Sequence, residues 1–188
     1  AMYETYFEII KSANFDLNDE NFFLGYYNVD YNEGVTDFLD MLCQNHVSNY
    51  LLSSGIKVFL EKVSVSSYFK KIYATIFNYN LNHEAIGIKF LMSDKNKVVA
   101  IEEILKTIGN KDNDCSNVIY IGDGLTDYYA MKYIKEHGGT TIFVYQDPNH
   151  KDILAIKEKK VVDFYTNAIY SQNGELYHYV RKLCKINN

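Results

Sequence analysis

The chain has 188 residues, 47% of them apolar, and a net charge of −5 with the charges interspersed. That is enough apolar material for the core of one ordinary domain and argues against wholesale disorder; no basic stripe marks a nucleic-acid binder. Three cysteines, Cys43, Cys115 and Cys184, lie far apart and are odd in number. They read as reduced thiols of a cytoplasmic protein, not as a disulfide framework or a zinc site. No apolar run approaches membrane-spanning length and no signal peptide is evident. Ala1 ahead of Met2 reads as a residue left by a cleaved tag.

The opening "MYETYFEIIKSANFD" has apolar residues at helical spacing. "NEGVTDFLDMLCQN" predicts a second helix, with Val35, Phe38, Leu39 and Leu42 on one face. "VSNYLLSSG" reads as a buried strand stopped by serines and glycine, and "IKVFLEKVSV" as the next helix. "KIYATIFNYNLNHEAIGIKFLM" alternates around an Asn-rich turn, the pattern of a β-hairpin. "DKNKVVAIEEILKTIGN" predicts a helix with Gly109 near its C-terminal cap. Then come strand "NVIYIGDG", helix "TDYYAMKYIKEHGG", strand "TTIFVYQ", helix "HKDILAIKEKK", strand "VVDFYT" and helix "GELYHYVRKLCK". Strands alternating with helices imply an α/β fold with a parallel sheet covered on both faces. Ligands of such sheets bind at the C-terminal strand ends. Attention therefore falls on Ser53-Ser54-Gly55, on Gly122-Asp123-Gly124, and on the polar end of "IFVYQD".

Asp123 sits at a strand tip and Asp127 one turn further on, with no Lys or Arg between them. Two carboxylates in one crevice repel each other, and a hard divalent cation relieves the repulsion. Mg²⁺ favours one or two carboxylates with substrate phosphate oxygens. Gly122 and Gly124 allow a tight turn and a close approach to a ligand. The plain alternative is a simple turn with Asp127 as a helix cap.

"VIYIGDGLTD" resembles the fourth motif of the haloacid dehalogenase (HAD) superfamily of phosphohydrolases. "NYLLSSGI" is similar to the second motif, matching at Ser53, and "KNKVVAIEEIL" to the third, matching at Lys97. The three stand in the family's order and look like its phosphoserine-phosphatase-like branch. The resemblance implies a Rossmann-like HAD core with helices on both faces of a parallel sheet. It also implies Mg²⁺ held by Asp123 and Asp127, phosphate oriented by Ser53 with the N–H groups of Ser54 and Gly55, and charge neutralised by Lys97. Gly124 and Thr126 are further candidates, Thr126 either touching substrate or capping the helix. Each residue has a plainer reading too: serines often end strands, and a helix lysine is usually solvated. Lys95 is the neighbour that competes with Lys97; the spacing of Lys97 to Ala100, Ile101 and Ile104 matches the family pattern.

The family's reaction needs a nucleophilic aspartate in an Asp-x-Asp-x-Thr/Val segment ending the first strand. No such segment ends an apolar strand ahead of the second motif. "FDLND", with Asp16 and Asp19, is the nearest approach, and "VDYNEG" around Asp30 lies too close to Ser53. Residues 2–31 resemble the tail of a helical cap, and residues 32–188 a HAD-like core without its first strand. A sheet lacking that strand exposes edges, which predicts pairing with another chain, such as a homodimer. The expected function is Mg²⁺-dependent phosphatase chemistry on a phosphorylated small molecule, in a truncated or degenerate form. The competing reading is a catalytically inactive module that binds a phosphorylated ligand or a protein partner. A receiver-like domain ranks last, because the chain is too long and its acidic pair belongs to a late strand.

Overall fold

The computed structural model describes residues 29–82, 85–110, 112–149 and 151–186. The predicted first helix and the cap-like segment up to residue 28 lie outside the described residues. The described residues form two compact units, one spanning Ser48–Met92 and the other Tyr31–Val47 with the chain from Ser93 onward. The division falls inside the stretch that the sequence suggested was a single core.

In the Ser48–Met92 unit, β1 (Tyr50–Ile56) pairs in parallel with β2 (Lys71–Tyr79), and β2 pairs antiparallel with β3 (Ala85–Phe90), the predicted hairpin. β1 is half-buried and does not stop at the serines, but continues through Ser53-Ser54-Gly55 with an irregular register between Leu52 and Ile56. The helix expected over "IKVFLEKVSV" shrinks to α2 (Lys57–Leu60). The physical reason lies two turns on: Val63 and Val65 are both buried while Ser64 between them is exposed. That two-residue alternation cannot be met by one face of a helix.

The second unit has β4 (Ile119–Gly122), β5 (Thr140–Tyr145) and β6 (Phe164–Asn167) in the order β4-β5-β6, all parallel. Its two faces follow from strand alternation. Ile142 and Val144, with Ile119, Ile121 and Phe164, pack under α1 (Val35–Gln44) and α6 (Glu175–Leu183). Phe143, with Tyr120, Tyr145 and Tyr165, packs under α4 (Tyr128–Glu136) and α5 (Lys151–Lys159). The mixed α/β architecture with helices on both faces of a parallel sheet is thus the predicted one.

Helix α3 (Asp94–Thr107) buries Lys97, Ala100, Ile101 and Leu105, a single stripe at helical spacing, and packs on α4. It ends as expected. Gly109 adopts φ +79°, its N–H bonds the Lys106 carbonyl, and Asn110 N–H bonds the Leu105 carbonyl, the Schellman pattern. Strand β6 starts later than "VVDFYT" suggests, because residues 161–163 form a pinned corner: Asp163 N–H bonds the Thr141 carbonyl, and the Asp163 carboxylate accepts the Thr141 N–H. No described helix is long and apolar enough to cross a membrane.

Candidate active site

Strand β4 delivers its last residues to a short 3₁₀ turn, Leu125–Asp127, from which α4 departs. The turn folds the Asp127 side chain back under the strand tip. Oδ2 accepts the backbone N–H groups of Asp123 at 3.1 Å and Gly124 at 3.2 Å. Oδ1 accepts Lys97 Nζ at 2.7 Å and the Tyr120 hydroxyl at 2.5 Å. Asp127 makes no side-chain capping bond to α4, but by accepting the Gly124 N–H it caps the 3₁₀ turn that leads into it.

A carboxylate has room for about four donors, and Asp127 has met all of them within the chain. In this geometry Asp127 organises the loop, its oxygens taken by donors of the chain itself. Gly122 is required for the same reason: a Cβ there would lie 2.7 Å from Asp127 Cγ. Gly124 is different. It has an ordinary extended φ of −146°, and a Cβ would meet nothing nearer than Thr126 Oγ1 at 3.8 Å. Of the two glycines only Gly122 is closely approached, and what approaches it is Asp127.

Lys97 and Asp127 are each 4% exposed. Taking two charges out of water costs several kcal/mol per ion, roughly, unless the partners and further hydrogen bonds offset it. Here the Tyr120 hydroxyl and two backbone N–H groups provide the further bonds. Burial first, and the Asp127 charge next, push the Tyr120 phenol well above its usual value, so it remains a proton donor. Of the two lysines in "DKNKVV", Lys97 is the buried one, whereas Lys95 is exposed with its ammonium 5.7 Å above the Tyr129 ring.

Asp123 stands at the tip with solvent along one side. Its carboxyl is pushed up, first by partial burial and then by the Asp127 charge, with Asp152 adding to the effect; Lys97 and its own backbone N–H oppose this and lose. Once ionised, the Asp123 carboxyl is repelled by Asp127 and Asp152, a repulsion that a cation would offset. Asp123 therefore fits Mg²⁺ as a single carboxylate ligand, a number this ion accepts when waters or phosphate complete its shell. Among the described residues no group of three or more His, Cys, Asp or Glu side chains is placed to hold a metal. The nearby Tyr170 also feels Asp123: burial, then that charge, raise its phenol to about 12.

In the other unit, Ser53 Oγ accepts the Gly55 N–H at 3.1 Å, so that N–H is engaged within the loop while the serine keeps its own proton to donate. Thr75, fully buried, donates to the Ser54 carbonyl at 2.9 Å and accepts the Met92 N–H at 3.3 Å, which anchors the irregular segment of β1. Thr126 is exposed. Asp112 and Asp114 do form an Asp-x-Asp pair, but ahead of β4, at the opposite end from Asp123. Asp114 there is spent on the Ser116 N–H and hydroxyl. Sequence reasoning missed Tyr120 and Thr75. The one signal for Tyr120 was a residue with a polar tip inside the run "VIYI".

No family model matches the chain, and no curated protein matches it by sequence. Solved structures do resemble it. A HAD-family hydrolase from Salmonella enterica subsp. enterica serovar Typhi aligns with a TM-score of 0.61 at 17% identity, covering 82% of this chain and 46% of that one. A substrate-bound phosphoserine phosphatase aligns at 0.65 and 17% identity, covering 89% and 70%. A probable phosphoserine phosphatase from Vibrio cholerae, in unliganded form, aligns at 0.66 and 10% identity, covering 92% and 50%. The chain thus spans about half the length of two of these three proteins, and what it shares with them is the fold.

Proposed function

We propose, from the HAD-type fold, that this chain carries metal- and charge-handling parts of a Mg²⁺-dependent phosphomonoester hydrolase. One observation carries the reading: Asp127 holds both a buried ammonium, Lys97, and the backbone N–H of Asp123, whose carboxyl stands exposed at the strand tip. Bound at Asp123, Mg²⁺ would offset the negative charge of a phosphoryl group. Lys97, a three-donor point charge with one N–H spent on Asp127, has donors left for phosphate oxygens. The hydroxyl of Ser53 is a candidate phosphate donor within its own unit, a role that rests on the likeness of "LLSSG" to the second motif. Thr126 is a candidate substrate contact. The aspartyl nucleophile of such an enzyme is not identifiable in this chain, so little or no turnover is expected of it alone.

The test pairs two measurements. Mg²⁺ with orthovanadate, a phosphoryl-transfer mimic, is expected to raise the melting temperature of the wild type but not of Asp123→Ala. Hydrolysis of p-nitrophenyl phosphate is expected at background level. Absence of any Mg²⁺-dependent stabilisation overturns the site. Robust hydrolysis lost in Asp123→Ala but kept in Asp16→Ala overturns the view that the nucleophile is missing.

A further inference from the structure

Tyr120 lies at the centre of β4 and does two things at once. Its ring packs against the cluster of Met131, Phe143, Ile153 and Ile156 on one face of the sheet. Its hydroxyl reaches past that cluster to Asp127 Oδ1, 2.5 Å away. The same oxygen takes Lys97 Nζ at 2.7 Å, while Oδ2 takes the two loop N–H groups. A carboxylate can rotate about its last torsion, which is broad and roughly two-fold. A lysine on four flexible carbons does little to stop it. A phenol on a packed ring does, because its oxygen is fixed by the core and its donor direction is fixed with it.

We propose that Tyr120 is a positioning residue: by holding Oδ1 of Asp127 it sets the one carboxylate orientation that both aims Lys97 and seats the Asp123–Gly124 turn. The functional half of this inference rests on the reading of Lys97 and Asp123 given above. The geometric half does not. The residue acts through Asp127 and touches neither metal nor substrate, so its loss should loosen the site without dismantling the sheet.

The test is Tyr120→Phe, which keeps the ring and removes the oxygen, examined in ¹⁵N-labelled protein. Without metal, the Lys97 Nζ resonance and the Asp123 and Gly124 amide resonances are expected to shift, and the Lys97 ammonium to lose protection from solvent exchange. The Asn110 amide, held by the Leu105 carbonyl at the far end of α3, is expected to stay in place. In a Mg²⁺ titration followed at the same amides, affinity is expected to fall about tenfold, the lower end of the loss typical when a group supporting a metal ligand is removed. A lower melting temperature with unchanged Lys97, Asp123 and Gly124 resonances would make Tyr120 a packing residue only and overturn the inference. Wild-type protein that ignores Mg²⁺ would sink the functional reading, while the metal-free resonances would still decide the positioning role.

Discussion

Among the described residues, the second unit has two lysine–aspartate pairs of equal length at opposite ends of one parallel sheet. Lys97–Asp127 and Lys135–Asp163 both close at 2.7 Å. The first pair has side chains 5% and 5% exposed; the second, 38% and 31%. Both aspartates also hold backbone: Asp127 the N–H groups of Asp123 and Gly124, Asp163 that of Thr141. The geometry is therefore shared and the surroundings are not. At the exposed end, water would serve either ion nearly as well as its partner does. At the buried end nothing else is available, so every donor on Asp127 has to come from the chain. A chain seeking only stability gains little from such a pair, since well-packed apolar residues usually do as well or better. On the proposed reading, its position beside the Asp123 carboxylate accounts for it instead.

The comparison breaks most visibly at Asp127. Asp127→Ala leaves a buried ammonium, a buried phenol and two loop N–H groups without their acceptor. Removing one partner of a buried pair costs about 3–5 kcal/mol, which for a chain of this size lowers the melting temperature by roughly 6–20 °C. Thermal unfolding followed by circular dichroism reads it directly. A loss no greater than that of an exposed-pair variant would show that the buried network is dispensable.

How much of this was legible beforehand follows the same division. Asp123 and Asp127 were visible because spacing sets them on a strand tip and one turn later, and Lys97 because the sequence around it resembles the third motif of the HAD superfamily. The separate duties of the two aspartates were not visible. They depend on which oxygen takes which donor, a matter of side-chain torsions that no spacing encodes. Tyr120 was hidden because an aromatic inside an apolar strand reads as packing, which half of it is. The persistence of β1 through Ser53-Ser54-Gly55 was hidden too, since the irregularity is set by the register against β2 and by Thr75, both distant in sequence. The parallel pairing and the two-sided cover of β4-β5-β6 were legible, because residue alternation and helix–strand alternation are local signals.

The next largest effect sharpens the contrast between Asp127 and Asp123. The raised pKa of Asp123 means that folding favours its protonated form. That contribution is fully present below the usual 3.8 and is lost as pH rises through the folded-state value, so at neutral pH the ionised group opposes folding. Without metal, Asp123→Asn is therefore expected to melt above the wild type at neutral pH, with the gap closing in acid. Mg²⁺ should reverse the order. At a hundredfold excess over its Kd a ligand stabilises by about 2.7 kcal/mol, or roughly 5–11 °C here, and only the wild type should gain it. If Asp123→Asn melts lower in metal-free buffer, the electrostatic account is wrong.

Gly122→Ala tests the packing of the buried end without touching a charge. The added Cβ would sit 2.7 Å from Asp127 Cγ and 2.8 Å from Oδ2. Overpacking of this kind costs about 1–3 kcal/mol, and here it would also push Oδ2 off the two loop N–H groups. Gly124→Ala, where there is room, is the matched control and should lose far less. Equal losses at the two glycines would mean that turn conformation, not the approach of Asp127, is what the sequence requires.

The smallest effect belongs to the exposed pair. Lys135→Met is expected to cost about 0.2–1 kcal/mol, at most roughly 4 °C, and to lose even that in high salt. Asp163 itself has a pH signature. Burial raises its carboxyl, but the Lys135 bond and the Thr141 N–H and hydroxyl outweigh that and leave it lowered. A lowered carboxyl contributes stability above the usual 3.8 and loses it as pH falls through the folded-state value. The melting difference between wild type and Asp163→Ala should therefore stay flat from about pH 7 to pH 5 and shrink only in stronger acid. The two ends of the sheet then respond to acid in opposite senses: protonation relieves Asp123 and weakens Asp163. A gap at Asp163 that widened on acidification would contradict the role of its hydrogen bonds, and would remove the ground for treating this end as the ordinary counterpart of the buried site.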